Sequence, residues 1–454
     1  MKIVIVGAGK VGEVLCKDLS SEGYDIVLIE TDKDRMEDII DMADITGIVG
    51  NGASHDIQIE AGVEDTDIFI AVTEHDEINI IASIIAKKLG AKHTIARVRS
   101  PEYSDNVNFA QKELGITLMV NPERESAKAI MDILKFPSAY NVDTFMQGKV
   151  NIVEFLVQEN SPMENLALKD IKVTDEKMLI CAVYREGKAY IPNGDFVIKS
   201  GDRIHVTGTV KSINEFIINC NYSTKPIRSV LIVGGGEMSY YLTGELLSKK
   251  IRVKLIEVNE ERAEYLSQAF PNAIIIYADG TDHEVLLQQR IETYDAVISS
   301  TTIDEENIVL SMFAESVGIE KNIVKISRNT LKPIAERIGL DSVITPKKII
   351  ADFIIKYVRS TLNKKGSRVE NLHRIVNDEI EAIQFHITEE SDAIEIPLKD
   401  LKTKPGVLVA CIRRGEKIIF PGGDDFVIVG DRVLVVTGKK YFDEFDDILV
   451  GHDE

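Results

Sequence analysis

The chain of 454 residues contains no tryptophan, four cysteines, twelve prolines and eight histidines, and aromatic residues make up only 6% of it. Each scarcity excludes something. The cysteines, Cys16, Cys181, Cys220 and Cys411, form no CxxC pair and each lies in or beside an apolar segment. That argues against a zinc ribbon, a dithiol centre or a disulfide scaffold, and for buried reduced thiols in a cytoplasmic protein. The histidines, among them His75 and His205, form no HxxH or HExxH and no placeable Ser-His-Asp arrangement. No apolar stretch approaches the roughly 20 residues of a membrane span. The best, Ile78 to Ala86, is short and flanked by Glu77 and Lys87. Met1 leads straight into a strand, without the pattern of a signal peptide. Positive charge is in deficit as well, with 53 Lys and Arg against 74 Asp and Glu, a net charge of −21. Such a field repels nucleic-acid backbones and bare anionic lipid, and leaves a protein partner open.

What is present is ordinary in composition, 44% hydrophobic and 28% charged, and too long for one domain at roughly 150 residues each. The informative stretch is MKIVIVGAGKVG, Met1 to Gly12. An apolar run, Ile3 to Val6, breaks into Gly7, Gly9 and Gly12, and an amphipathic segment follows from Val11 to Leu19. This is a strand turning tightly into a helix. The first glycine permits the turn, the second lets backbone N–H groups approach a pyrophosphate, and the third packs helix on strand. Short β-rich runs then alternate with helical ones: Ile26–Glu30, Gly47–Gly50, Ile68–Thr73, Thr94–Val98 and Thr117–Val120. That alternation indicates a doubly wound parallel sheet. A helix over Pro122 to Phe136 is expected to leave the sheet, and no strand is expected directly behind it. From about Tyr140 the chain turns into short strands punctuated by Gly-Lys, Pro-Asn-Gly-Asp and Ser-Gly-Asp, a small β-rich module.

Then everything repeats. SVLIVGGGEMS restores the strand, glycine loop and helix, with Gly234 standing 227 residues after Gly7 and Glu257 standing 227 after Glu30. Asp304, Glu305 and Asn307 follow Thr301 as Asp76, Glu77 and Asn79 follow Thr73, and Gly430-Asp431-Arg432 echoes Gly201-Asp202-Arg203. Nearly constant offsets mean a tandem duplication. The expected architecture is α/β, two Rossmann-like sheet domains at 1–138 and 225–360, each followed by a β-rich module, at 139–224 and 361–454.

Glu30 ends the second strand 21 residues after Gly9, where a carboxylate accepts both ribose hydroxyls of an adenosine and repels a 2′-phosphate. This favours NAD(H) or an adenine nucleotide over NADP. Asn51, Thr73 and Glu74 fall at the same carboxyl edge, and Arg97 is the strand-borne cation nearest it, open to a phosphate or to a surface carboxylate. The run Glu74 to Glu77 reads either as a cation site or as acidic capping of a helix N-terminus. The second loop keeps Gly234, Gly236 and Glu257 but replaces the third glycine with Ser239, expected to loosen the packing, and Lys10 with Glu237, expected to add negative charge. A dehydrogenase needs a substrate domain with an acid or base over the nicotinamide, and modules of about 80 residues offer little room for one.

The combination of VGAGKVG, the NGAS turn at Asn51–Ser54, AVT before an acidic pair and Asn79, a crossover helix, and a module carrying P-x-G-D and GDR resembles the RCK/KTN family, regulators of potassium conductance, whose β module is named TrkA-C. The resemblance implies a regulator, not an enzyme. It implies a homotetrameric ring of eight nucleotide-binding domains beneath a TrkH-like, membrane-embedded potassium-translocating partner, at the inner face of the membrane. By position it implies first-site contacts at Gly7, Ala8, Gly9, Lys10, Val11, Glu30, Asn51, Thr73, Glu74 and Arg97. Second-site contacts would be Gly234, Gly235, Gly236, Glu237, Met238, Glu257, Asp279, Thr301 and Lys325. NAD(H) is the implied cofactor, with ATP or ADP open. Hinges are expected at Pro137–Tyr140 and near Ser360–Arg368. An NAD-dependent oxidoreductase and an ATP- or cation-sensing ring of another channel are the competing classes.

Overall fold

A computed structural model of the chain describes residues 1–104, 111–171, 178–340, 342–361, 367–389, 391–438 and 442–451. The middle of the second expected hinge, residues 362–366, and His452 lie outside the described residues.

The first sheet comprises β1 (Lys2–Val6), β2 (Asp25–Glu30), β3 (Thr46–Val49), β4 (Ile68–Ala71), β5 (His93–Arg97) and β6 (Leu118–Val120), all parallel, in the order β3-β2-β1-β4-β5-β6. Ile3 lies opposite both Ile26 and Ile68. A central parallel strand is covered on both faces, which is why Ile3 to Val6 are apolar without alternation and all buried. The glycine loop leaves β1 at the switch point between β1 and β4, where such sheets bind ligands.

The antiparallel sheet that follows contains β7 (Val142–Phe145), β8 (Val150–Leu156), β9 (Leu179–Arg185), β10 (Lys188–Tyr190) and β11 (Arg203–Gly208). A second parallel sheet, β12 (Ser229–Val233), β13 (Arg252–Glu257), β14 (Ile274–Tyr277), β15 (Ala296–Ser299), β16 (Lys321–Lys325) and β17 (Val343–Ile344), has the first sheet's order. The last, antiparallel sheet holds β18 (Ser367–Ile375), β19 (Ile380–Ile387), β20 (Val407–Arg414), β21 (Lys417–Ile419) and β22 (Arg432–Thr437). Its order, β18-β19-β22-β20-β21, reproduces the first module's β7-β8-β11-β9-β10 strand for strand. The duplication is therefore topological as well as sequential, and the expected fold class holds.

Five helices matter for the sites: α1 (Lys10–Ser21), α2 (Asp76–Leu89), α3 (Pro122–Leu134), α4 (Glu237–Ser248) and α5 (Pro346–Thr361). α3 and α5 are equivalent crossover helices, and the structure exchanges them. Ala127, Ile130 and Leu134 of α3 share a core with Met238, Leu242 and Leu246 of α4, in the second half. Ile350, Ala351 and Ile354 of α5 share one with Val11, Leu15 and Leu19 of α1, in the first. A third core joins the two modules, Phe145, Ile152 and Cys181 against Ala382, Cys411 and Val436.

Two expectations change. β7 follows α3 closely, and the sequence hides it because this edge strand alternates little, with the polar Asp143 and Thr144 at its centre and Asp143 paired to His373 of the second module at 2.8 Å. The connection Pro137–Tyr140 is docked: Ala139 is fully buried, its carbonyl accepts from Lys321 Nζ, and the Tyr140 N–H donates to the Glu154 carbonyl at 2.9 Å.

Candidate nucleotide-binding sites

The first site is built on the loop between β1 and α1. Gly7 has φ +105°, a conformation that favours glycine, and a Cβ there would lie 3.0 Å from the Thr73 backbone nitrogen. A Cβ on Gly12 would stand 1.9 Å from the Gly7 carbonyl oxygen, so the third glycine is required by the helix-to-loop approach. Gly9 is different: a Cβ there would meet no protein atom within 4 Å, leaving the loop's outer side open to ligand atoms. Ala8 and Val11 are buried, and Lys10 is exposed, 4.0 Å from Glu13.

Glu30 sits beside this loop. Its Oε2 accepts from the Ala8 N–H at 2.5 Å, and its Oε1 from the Thr31 and Asp32 N–H groups at 2.7 and 3.0 Å. Burial works against the charge, but the Ala8, Asp32 and Thr31 donors outweigh it and hold the carboxyl below its ordinary pKa. The Asn51–Gly52 turn also reaches this edge, since a Cβ on Gly52 would collide with Val6 at 2.1 Å. Arg97 Nη1 donates to the Thr73 carbonyl at 3.1 Å, and no carboxylate among the described residues pairs with it. Its Nε is buried without a partner there, and burial and Arg99 lower its pKa. Glu74 is exposed, its carbonyl accepting from Arg99 Nη2.

The second site reproduces the frame. Gly234 has φ +100°, Gly235 N–H donates to Glu257 Oε2 at 2.6 Å, and Gly236 faces open space as Gly9 does. Asp279 accepts from the Thr281 N–H at 2.9 Å, as Asn51 accepts from Ala53 at 2.9 Å. Lys325 Nζ donates to the Ser300 carbonyl at 3.2 Å, in Arg97's place. Met238 is buried. Both departures read differently in three dimensions. Ser239 does not loosen the loop: its hydroxyl donates to the Gly234 carbonyl at 2.5 Å and lies 2.8 Å from Ser300 Oγ. Glu237 is met by Arg262, whose Nη1 lies 3.3 Å from it and whose Nε donates to the Gly235 carbonyl at 2.7 Å. Arg262 has no sequence signal, because its counterpart Arg35 turns to Asp32 instead.

Asn79 and Asn307 carry more than the repeat pattern showed. Each is fully buried at the start of its helix. Asn79 Oδ1 accepts from the Thr73 N–H at 2.8 Å, and Nδ2 donates to the Thr73 and Arg97 carbonyls at 3.1 and 2.9 Å. Asn307 repeats this with Thr301 and Lys325 at 2.8, 3.2 and 3.0 Å. They clamp the fourth and fifth strand ends at each site. In the acidic run, Asp76 turns inward and accepts from the Arg99 and Ser100 N–H groups at 2.8 and 2.9 Å. Among the described residues no group of three or more His, Cys, Asp or Glu is placed to hold a metal ion. The four cysteines are buried and free, and burial pushes each thiol up to about 12, away from nucleophilic use.

Fold and glycine loops together define a tandem pair of Rossmann-type domains, each followed by an antiparallel module. The TrkA-N domain model matches residues 3–122 and 230–346, and the TrkA-C domain model residues 152–217 and 382–450. The chain belongs to the TrkA family. It is 31% identical over 450 residues to a Trk system potassium uptake protein TrkA homolog of Archaeoglobus fulgidus, covering 99% of this chain and 100% of that one. It is 32% identical over 446 residues to TrkA homolog 1 of Methanosarcina mazei, covering 96% and 97%. Vibrio alginolyticus TrkA is 29% identical over 455 residues, covering 99% and 98%. Among solved structures the GsuK channel bound to NAD superposes with a TM-score of 0.61 at 15% identity, covering 96% of this chain and 76% of that one, a likeness of fold. Among the described residues no helix is long and apolar enough to cross a membrane.

Proposed function

We propose that this chain is the cytosolic, nucleotide-sensing regulatory subunit of a Trk-type potassium-uptake system. It binds NAD(H) at the two glycine loops and passes the binding energy to a TrkH-like membrane partner through a homotetrameric ring. The observation that carries the reading is the first loop: Gly9 open to a pyrophosphate, Ala8 and Glu30 joined beside it, and Thr73 and Arg97 at the same edge. Glu30 accepts the ribose hydroxyls, the Gly7–Val11 backbone cradles the diphosphate, and α1 adds its N-terminal partial charge. The second loop offers the same set through Gly234 to Met238, Glu257, Asp279, Thr301 and Lys325. Adenine nucleotides share the adenosine half of this recognition, and GsuK is known in a form bound to ADP. A regulator works through the difference in ligand affinity between two ring states, so binding proceeds without turnover.

The test is calorimetric titration of the full chain with NAD⁺, NADH, ADP and ATP, repeated on Gly9→Asp. Saturable binding of a dinucleotide, unconsumed over hours and lost from one class of sites in Gly9→Asp, is expected. No binding by the wild-type chain would make both loops architecture only and sink the reading.

A further inference from the structure

The exchange of the crossover helices delivers a charged side chain from each half to the other half's glycine loop, and the two charges have opposite sign. α5 packs along α1, which sets Pro346 and Lys347 at the start of the first glycine-loop helix. α3 packs along α4, and its N-cap residue Asn121 donates to Tyr241 Oη at 2.9 Å, which fixes Pro122 and Glu123 at the start of the second. A cavity of about 70 Å³ lies where these turns meet, lined by Val11 and Arg97 of the first site, Lys325 of the second, and both Glu123 and Lys347. Lys347 and Glu123 occupy the same position in the duplication, directly after the proline that opens each helix.

We propose that Lys347 is a ligand-contacting residue of the first nucleotide site, supplied by the second half of the chain, and that Glu123 is its charge-reversed counterpart at the second. The two sites then differ in the ligand charge they accept: the first favours the more anionic nucleotide, and the second discriminates against it. This rests on the nucleotide reading of the glycine loops. Three features support it. Lys347 forms no ion pair among the described residues, and the charged groups around it are Lys10, Arg97, Glu74 and Asp304. Burial, with the like charges of Lys10 and Arg97, outweighs the Asp304 and Glu74 carboxylates and holds the Lys347 ammonium below its ordinary pKa, a balance that an added anion reverses. Glu123 is half-buried among Lys325, Arg97 and Arg99 and also stands with Glu237, so the second loop has two carboxylates near it, offset by Lys325 and Arg262.

The experiment is titration of the full chain with ADP and with NAD⁺, using Gly236→Asp to isolate the first site and Gly9→Asp to isolate the second. In the Gly236→Asp background, Lys347→Glu is expected to weaken ADP about tenfold, roughly 1.4 kcal/mol, and NAD⁺ less, because ADP carries more negative charge. Lys347→Gln gives a smaller loss of the same order between ligands. In the Gly9→Asp background, Glu123→Lys is expected to tighten ADP about tenfold. Thermal unfolding midpoints within a few degrees of the parent certify folding, and Lys347→Gln serves if Lys347→Glu fails that check. Wild-type binding that Lys347→Glu and Lys347→Gln leave unchanged overturns this inference alone. Equal effects of Lys347→Glu on ADP and NAD⁺ overturn its charge-selection part. Failure of the wild-type chain to bind either ligand overturns the nucleotide reading and this inference with it.

Discussion

Gly12 is the position where one methyl group has the largest consequence, since the Cβ it lacks would stand 1.9 Å from the Gly7 carbonyl and 3.8 Å from Val72 Cγ2. The second loop solves the same contact with different residues. Ser239 fills the third-glycine position, and Ser300 stands opposite it, its hydroxyl 2.8 Å away, where the first loop has Val72. The smaller partner makes room for the larger one, and two hydroxyls satisfy each other. Gly12→Ala is therefore expected to destabilise the chain by about 2 kcal/mol, the scale of overpacking a tight contact, and to abolish binding at the first site only. Gly12→Ser combined with Val72→Ser should recover part of the stability, read by chemical denaturation. The clamps Asn79 and Asn307 give a second prediction at this scale. Asn79→Ala orphans the Thr73 N–H and takes a donor from the Thr73 and Arg97 carbonyls, the first of which keeps Arg97 Nη1, and a loss of about 2 kcal/mol is expected from the unmet hydrogen bonds. Asn307→Ala should cost the same and spare the first site's ligand.

Among the elements, α5 ends in a buried ion network, and its counterpart α3 ends in an exposed pair. Arg359, fully buried near its C-terminus, donates from Nε and Nη2 to Glu22 just beyond α1, at 3.0 and 2.7 Å, and from Nη1 to Glu381 on β19 at 3.0 Å. Arg374 also reaches Glu22 at 3.4 Å. Its equivalent in the first half, Lys135, is exposed and turns to Asp132 on its own helix. A buried ion network is weak evidence of net stabilisation, but removing one member leaves uncompensated charge in a low-dielectric site. Arg359→Met is expected to cost about 3 kcal/mol or more, measured by denaturant unfolding, because Glu22 and Glu381 would keep only Arg374. Lys135→Met should change stability by less than about 0.5 kcal/mol, as exposed pairs do.

At the scale of the molecule, the exchanged helices make each half incomplete alone. Residues 1–224 include α3 but not α5, so they would expose Ala127, Ile130 and Leu134, all buried in the full chain, and leave Val11 and Leu15 uncovered. Isolated 1–224 is expected to self-associate or aggregate, and co-expression with 225–454 should restore a one-to-one complex in sedimentation velocity. The full chain should unfold in one cooperative calorimetric transition, since three cores run between the halves. A half that sediments as a stable monomer would contradict this packing.

The sequence by itself determined the parts that depend on neighbours along the chain. The glycine spacing, the apolar strand Ile3–Val6 and the carboxylate Glu30 are local signals, because a strand, a tight turn and a helix start are specified within a dozen residues. The duplication was legible for the same reason, since copies keep their offsets. Only the tertiary structure decided what depends on residues far apart in sequence. Sequence does not show that Arg262 turns to Glu237 while Arg35 turns to Asp32, that Asn79 clamps Arg97's strand, or that β7 is an edge strand with little apolar signal. Above all it does not show which half a crossover helix covers. α3 and α5 present the same apolar stripe in either arrangement, and the choice rests on the complementary faces of α1 and α4, fixed only once both halves are folded and packed.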